Sequence, residues 1–380
     1  MKLALSVSVI QRGKSGVASY VFGLLKGMAK MEHPPEVHLF GLEEDESLFE
    51  SWSRFCEWHP ISEKFRPAVP NIFWHQTVFP RLLRKYSVDL VHIPSYRRIV
   101  AACPCPQVVT IHDMAPFHLR KKYDPLRMFY GRRVVPFLAS RTDRVITVSR
   151  STAKDVERFC NVQPAKISVI WNGIDEERFV PTPKLEPSVF ETNFGKKAPY
   201  FIYLARLEHP AKNHVRLIEA FDTFMEACPN APHHLVFGGA DWHGADVIHE
   251  RRAASKYSSR IHSLGFVDDN VLPRWYGQAE ALVYPSLFEG FGLPPIEAMS
   301  CACPVVSSDR GSLGEILGAA ALIVNPDRVD SMSSALEQVA AWEPKERAEM
   351  MARGLEHATP FSWSICAKRT IDVYEQVLST

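Results

Sequence analysis

Short β-rich runs alternate with helix-patterned segments along the whole chain, and this alternation constrains the fold more than any single motif. In the first half the strand-like runs fall near 2–10, 36–41, 89–93, 107–111, 144–148 and 167–170. In the second half they fall near 199–204, 234–238, 261–264, 281–284, 304–307 and 321–324. Helical patterns lie between them, as at Asp124–Ala139 and Ser151–Phe159. Strands separated by helices pair in parallel, and a parallel sheet needs cover on both faces. At 380 residues the chain is too long for one ordinary core, so two domains are expected. The aperiodic, proline-rich Val180-Pro-Thr-Pro-Lys-Leu-Glu-Pro187 is the expected junction. This gives an α/β chain with a Rossmann-like domain over 1–180, a second over 181–358, and a separate helix in 359–380 after Thr359-Pro360. Two doubly wound domains bind ligands at the C-terminal ends of their strands. If those edges face each other, the active site is the cleft between them.

Charge adds an asymmetry. The net charge of +1 divides into +8 for residues 1–180 and −7 for the rest, and residues 51–150 alone carry +11. A basic half suits an anionic membrane, a phosphorylated substrate or nucleic acid, or is a solvated surface. No nucleic-acid motif is present, so no nucleic-acid partner is expected. The eight cysteines form no C-x-x-C pair and read as free thiols in a reducing, cytoplasmic setting. The apolar stretch before Gln11-Arg12 is too short for a signal peptide and reads as a strand. No apolar run reaches the roughly 18 residues of a spanning helix, so membrane contact would be peripheral.

Gln11-Arg-Gly-Lys-Ser-Gly-Val-Ala-Ser-Tyr20 holds the GKS tail of a phosphate-binding P-loop. The full motif needs a glycine at position 8, where this chain has Ser8. What remains is a glycine-bearing turn from a strand (Leu3 to Ile10) into a helix (about Val17 to Met31). Free N–H groups at that positive helix end can hold an anion. The plain alternative is a tight turn with no ligand.

The densest chemistry lies in Tyr284-Pro-Ser-Leu-Phe-Glu-Gly-Phe-Gly-Leu-Pro-Pro-Ile-Glu-Ala-Met299. It follows an apolar strand and opens a helix. Gly290 and Gly292 leave backbone N–H groups uncovered, while Pro294 and Pro295 suit a first turn. Glu289 and Glu297 stand eight positions apart, a spacing that lets two carboxylates grip two parts of one polyhydroxyl ligand.

This stretch resembles the E-x7-E signature of retaining glycosyltransferases with the GT-B fold, in particular family 4. Around it, Leu264-Gly-Phe-Val267, Leu272–Tyr276, Pro304-Val-Val306 and Gly311-Ser-Leu-Gly-Glu315 resemble flanking family motifs. Upstream, Thr110-Ile-His-Asp113, Val148-Ser149, Asn172-Gly-Ile-Asp175, Ala205-Arg206-Leu207 and Lys212-Asn213 fall in family order. Phe361-Ser-Trp363 resembles the start of the family's last helix, which crosses back to the first domain. Two departures stand out. Ser15 replaces the first glycine of the family's glycine-rich loop, leaving Gly16. Ala302, in Cys301-Ala-Cys-Pro304, replaces a usual glycine, with an effect expected on packing more than on chemistry.

The resemblance implies transfer of a hexose from a nucleotide diphosphate sugar to a saccharide or lipid-linked saccharide, with retention, in cell-surface polysaccharide or glycoconjugate synthesis. Arg206 and Lys212 match the cations that meet the departing diphosphate, where fixed positive charge lowers the barrier. Glu289 matches the residue against the donor sugar, and Glu297 the one that accepts hydrogen bonds from the ribose. His112 matches the histidine near the donor sugar, with Asp113 placed to orient its ring. Gly16, Phe291, Gly292 and Leu293 offer N–H groups to sugar and phosphate, and Val267 sits where the family contacts the nucleobase. Overall likeness to cell-surface polysaccharide enzymes points to GDP-mannose, with UDP-hexoses left open. No D-x-D is present, and neighbouring histidines lack H-x3-H spacing, so no metal or other cofactor is expected. Arg81–Tyr86, Arg120–Tyr123 and Arg127–Arg133 mix cations with aromatics and suit an anionic inner membrane face. Two other readings are a GT-B nucleotide-sugar 2-epimerase and a non-catalytic sugar-nucleotide-binding scaffold.

Overall fold

The computed structural model describes residues 1–118, 125–182 and 187–379. It divides into two compact units. The first holds Met1–Gly173 together with the chain from Phe361 onward, and the second is Ile174–Pro360. The chain therefore changes unit at Gly173, seven residues before the expected boundary. Ile174 and Phe179 are buried, and Phe179 packs near Tyr276 of the second unit, 6.2 Å between ring centres. Apolar burial, rather than proline content, places the junction. Of the proline-rich segment, residues 183–186 lie outside the described residues.

The first unit is a parallel sheet of seven strands: β1 (Lys2–Ser6), β2 (Glu36–Leu42), β3 (Cys56–Ile61), β4 (Leu90–Ile93), β5 (Gln107–Ile111), β6 (Arg144–Thr147) and β7 (Ile167–Val169), in the order β3-β2-β1-β4-β5-β6-β7. The second has six: β8 (Tyr200–Leu204), β9 (His234–Gly238), β10 (Ile261–Ser263), β11 (Ala281–Tyr284), β12 (Val305–Ser308) and β13 (Leu322–Val324), ordered β10-β9-β8-β11-β12-β13. Central strands such as Leu90–Ile93 and Ala281–Tyr284 are buried at every position, as sheets covered on both faces require. Both units are Rossmann-like, as the alternation implies.

Three local differences have physical causes. Strand β3 was not expected, because Cys-Glu-Trp-His-Pro-Ile mixes polar residues with a proline. It is an edge strand, where a missing N–H is tolerated. The first strand ends at Ser6 rather than Ile10, because Gln11, Arg12 and Gly13 all take left-handed backbone (φ 54°, 54° and 79°) in the turn that follows. The helical run expected over Asp124–Ala139 is described from Pro125 onward and contains a π-helical turn at Tyr130–Val134.

The last helix, Trp363–Leu378, belongs to the first unit and packs on the helix Gly16–Ala29. Glycines make the contact possible. A Cβ on Gly23 would lie 2.0 Å from the Trp363 ring, and one on Gly27 2.2 Å from the Trp363 carbonyl oxygen. A Cβ on Gly173 would lie 2.0 Å from the Trp363 amide nitrogen. The same helix closes a buried chain of hydrogen bonds. Tyr374 Oη meets His92 Nδ1 at 2.6 Å, His92 Nε2 meets Thr110 Oγ1 at 2.8 Å, and Thr110 Oγ1 meets Tyr20 Oη at 3.0 Å.

Ala302 shows why a glycine is usual at its position. Its φ is +56°, so the constraint is backbone conformation rather than the packing expected from sequence. An alanine held there costs about 1 kcal/mol relative to a relaxed residue. Ala302→Gly is expected to raise the melting temperature modestly, in part offset by the greater freedom of glycine in the unfolded chain, with donor binding unchanged. Calorimetry of the two proteins checks this.

Candidate active site

In the second unit the loops beyond the C-terminal ends of β8, β9, β10 and β11 carry the candidate residues. The segments after β8 and β9 run side by side. Leu207 N–H donates to Ala240 O at 3.0 Å, Trp242 N–H to Leu207 O at 3.0 Å, and His209 N–H to His243 O at 2.9 Å. Gly239 lies against this pair, and a Cβ there would meet Ala205 O at 2.0 Å. Arg206 is thus held on a braced ribbon. Its guanidinium lies over the Trp242 ring, 4.7 Å from the centroid, and 3.8 Å from a Glu208 carboxylate oxygen. With 46 % of its side chain exposed, it can reach an anion in solution.

Lys212 is placed differently. Its Nζ donates to Glu289 Oε1 at 2.5 Å, and both side chains are largely buried. Tyr203 Oη donates to the Lys212 carbonyl at 2.8 Å, and Asn213 Nδ2 donates to the carbonyls of Pro285 and Pro326. Asn213 itself takes left-handed backbone (φ 61°) to begin the helix His214–Ala227. The two cations therefore do not form a matched pair: Lys212 is bound to Glu289, while Arg206 is open.

Glu289 is held from several sides. Tyr284 Oη donates to Oε1 at 2.9 Å. Ser312 N–H and Oγ both donate to the Glu289 carbonyl, at 3.0 and 3.1 Å. Gly311, at φ +65°, lets this second loop approach, since a Cβ there would sit 2.3 Å from that carbonyl oxygen. Burial opposes the charged carboxylate, but the charge and hydrogen bond of Lys212, with those from Ser286 and Tyr284, hold its pKa below the ordinary range. Tyr284 moves the opposite way, raised by burial and then by the Glu289 charge, so it remains a neutral donor.

Glu297 lies on the helix Leu293–Ser300 in a different setting. Tyr276 Oη donates to Oε2 at 3.0 Å. Burial raises its pKa to about 7, with Asp269 adding to the shift and Tyr276 and Arg178 opposing it. The two glutamates thus have different partners, Lys212 and Tyr284 for one and Tyr276 for the other, and differ in charge tendency. At the start of this helix Gly292 has φ +92°, and a Cβ would strike Leu313 at 2.6 Å. Pro294 and Pro295 supply no N–H, so the backbone N–H groups at this helix start are those of Phe291, Gly292 and Leu293. Val267 follows β10 and borders Gly238, at whose Cβ position it would lie 3.0 Å away.

The first unit carries Gly16 and His112. Gly16 opens its helix, capped by Ser15, whose Oγ accepts from Ala18 N–H at 3.2 Å. Ser15, the departure from the family pattern, is thus a helix cap. Nothing lies within 4 Å of a Cβ on Gly16, so the space over that turn is open. His112 follows β5 and donates from Nε2 to the Pro94 carbonyl at 2.9 Å, with its ring edge-on to Tyr20 at 4.8 Å. Burial lowers its pKa, against the Pro94 hydrogen bond and the Asp113 charge, so the ring is neutral at pH 7 with Nδ1 as its acceptor. Asp113 was expected to orient the ring, but the ring's hydrogen bond goes to Pro94 instead. Asp113 Oδ1 accepts from Ala115 N–H at 2.9 Å, capping the turn that follows.

Sequence reading missed Tyr284, Ser286, Gly311, Ser312 and Tyr203 as supports of Glu289 and Lys212. Tyr284 and Ser286 lay inside the quoted signature, but only a fold shows that a strand-end tyrosine turns back on a carboxylate.

These features define a class: two Rossmann-like units with a cationic, carboxylate-bearing loop cluster at the strand ends, the build of a GT-B glycosyltransferase. Residues 14–178 match Glycosyltransferase Family 4 and residues 186–357 match Glycosyl transferases group 1. The O-antigen chain mannosyltransferase B of Escherichia coli is 31% identical over 99% of this chain and 100% of its own length. O-antigen chain mannosyltransferase RfbU of Salmonella typhimurium is 30% identical over 61% of this chain and 60% of its own. The fold is shared with sucrose-phosphate synthase from Thermosynechococcus elongatus (TM-score 0.81, 18% identity, 100% and 99% of the two chains). It is also shared with Anabaena HepE solved with UDP and glucose (TM-score 0.79, 17% identity, 99% and 100%). The chain belongs to glycosyltransferase family 4 and is a glycosyltransferase.

Removing Lys212 leaves a buried, uncompensated carboxylate, so Lys212→Ala is expected to cost about 3 kcal/mol at neutral pH. The Lys212→Ala/Glu289→Ala double variant should lose less than the sum of the single changes. Because the folded pKa of Glu289 is depressed, the pair's contribution is present above the unfolded value near ~4.3 and lost as pH falls through the folded one. The cost of Lys212→Ala should therefore shrink toward acid pH in denaturant titrations.

Proposed function

We propose that the protein transfers a mannosyl residue from GDP-mannose to a saccharide or lipid-linked saccharide, with retention at the anomeric carbon, in cell-surface polysaccharide synthesis. The observation that carries the sugar is full-length likeness to the O-antigen chain mannosyltransferase B of Escherichia coli. The site geometry is compatible with it. In this reading the exposed Arg206 and the N–H groups of Phe291, Gly292 and Leu293 hold the diphosphate, and Lys212 stabilises the charge that develops as it leaves. Glu289 faces the donor sugar, its charge fixed by Lys212 and Tyr284. Glu297 accepts from the ribose and Val267 borders the base, while in the first unit a neutral His112 offers Nδ1 as an acceptor for a hydroxyl. The departing phosphate takes the acceptor's proton, and no metal takes part.

The same reading places the enzyme on the inner membrane face. Leu126, Phe129 and Phe137 are exposed along one helical run that also carries Arg127 and Arg133, a composition suited to an anionic lipid surface. Arg120–Tyr123 lies outside the described residues, and no helix among the described residues is long and apolar enough to cross a membrane.

A thermal-shift screen with EDTA present tests the donor. GDP and GDP-mannose are expected to raise the melting temperature, by about 2.7 kcal/mol of stabilisation at a hundredfold excess over Kd, and UDP and ADP far less. A shift with UDP alone would replace the base. No shift with any nucleotide, or a shift only when metal is restored, would count against the site as drawn.

The ribose contact has a pH signature. Glu297 must be charged to accept both ribose hydroxyls, yet its free carboxyl titrates near 7. Nucleotide affinity is therefore expected to fall by up to about tenfold per pH unit below that value. The Glu297→Gln protein should bind more weakly at pH 8 and lack this component of the slope in calorimetric titrations.

A further inference from the structure

Away from the donor site, two buried histidines and a carboxylate converge on one face of the first sheet. His38 lies on β2, and Glu57 and His59 on β3, with register pairs His38↔Glu57 and Phe40↔His59. One ligand atom from each of the three lies within 4.8 Å of the others. His38 Nδ1 is 2.8 Å from His59 Nε2, and Glu57 oxygens approach them at 3.5 and 3.7 Å. His38 is 3 % and His59 7 % exposed, whereas Glu57 reaches solvent. On its other side, His38 Nε2 lies 3.3 Å from Glu36 Oε1.

From this geometry we infer that His38, His59 and Glu57 form a binding site for a borderline divalent transition metal, of which zinc is the type. Two imidazoles and one carboxylate are a donor set suited to such ions. Tetrahedral Zn–N bonds of about 2.0–2.1 Å need the two nitrogens roughly half an ångström farther apart than they stand, a change within side-chain reach. Glu36 would then take the His38 Nε2–H, fixing the tautomer that leaves Nδ1 for the metal. Tyr86 packs on both rings, centroids 5.6 and 4.1 Å away, and limits their rotation. Glu57 and Glu36 outnumber Lys85, the cation near His59. Water would complete the ligand set from the side on which Glu57 reaches solvent.

The position assigns the role. His38 is near the start of β2, and Glu57 near the start of β3, at the opposite end of the strands from Gly16 and His112. A metal here stays out of glycosyl transfer. It joins the proline-bearing edge strand β3 to β2 and stabilises that edge. The inference uses no donor-site residue, and its failure leaves the proposed reaction untouched.

The test uses full-length protein stripped with chelator and dialysed. Zinc is expected to bind with one tight equivalent and to raise the melting temperature, and cobalt(II) to give the visible bands of a low-coordinate nitrogen–oxygen site. Glu36→Gln should weaken binding about tenfold. Glu57→Ala should weaken it more, and His59→Gln should abolish it. If His59→Gln fails to fold, the two exposed glutamates still decide the matter. Absence of a tight equivalent, or zinc binding unchanged in Glu57→Ala and Glu36→Gln, overturns the proposal.

Discussion

Trp363 seated against Gly23, Gly27 and Gly173 is the contact on which the first unit depends. Two glycines one turn apart on the helix Gly16–Ala29 and a third far along the chain, Gly173, leave room for one indole and its backbone. Any side chain at Gly27 or Gly173 would meet main-chain atoms, which cannot swing aside as a side chain can. With the indole in place, the last helix lies along Gly16–Ala29, and Tyr374 closes the hydrogen-bond chain through His92 and Thr110 to Tyr20. Tyr20 in turn packs on the His112 ring. The far end of the polypeptide thus helps set a side chain that a sequence motif alone would assign to local structure.

The second unit organises its chemistry by unequal treatment of like groups. Glu289 and Glu297 are both drawn out of water, yet one is kept charged by Lys212 and the other is left to titrate near neutrality. Lys212 is committed to an internal partner, while Arg206 rests on an indole face and stays available. Environment, not residue type, divides permanent charge from responsive charge.

Much of the fold was legible because parallel strands are buried on both faces and so appear as continuous apolar runs. Leu90–Ile93 and Ala281–Tyr284 were readable for that reason. Strand β3 was not, since an edge strand needs neither continuous apolarity nor every N–H. The candidate site was legible in the residues that motifs mark, such as Glu289 and Lys212. What joins them was not, because Tyr284, Gly311 and Ser312 act through tertiary approach. Asp113 shows the converse: adjacency to His112 suggested a partner, and a nearer N–H at Ala115 took its carboxylate. Why glycine is usual where this chain has Ala302 is something that only a backbone angle reveals.

The return of the chain to its starting unit also orders events during synthesis. Ile174–Pro360 is one uninterrupted stretch and is complete as soon as its last residue clears the ribosome. Met1–Gly173 then still lacks Trp363 and Tyr374, and the glycine-floored groove that will receive them is bare. The half of the molecule translated first is therefore the half finished last. A nascent chain stalled near its end would hold a completed second unit and an unsealed first one.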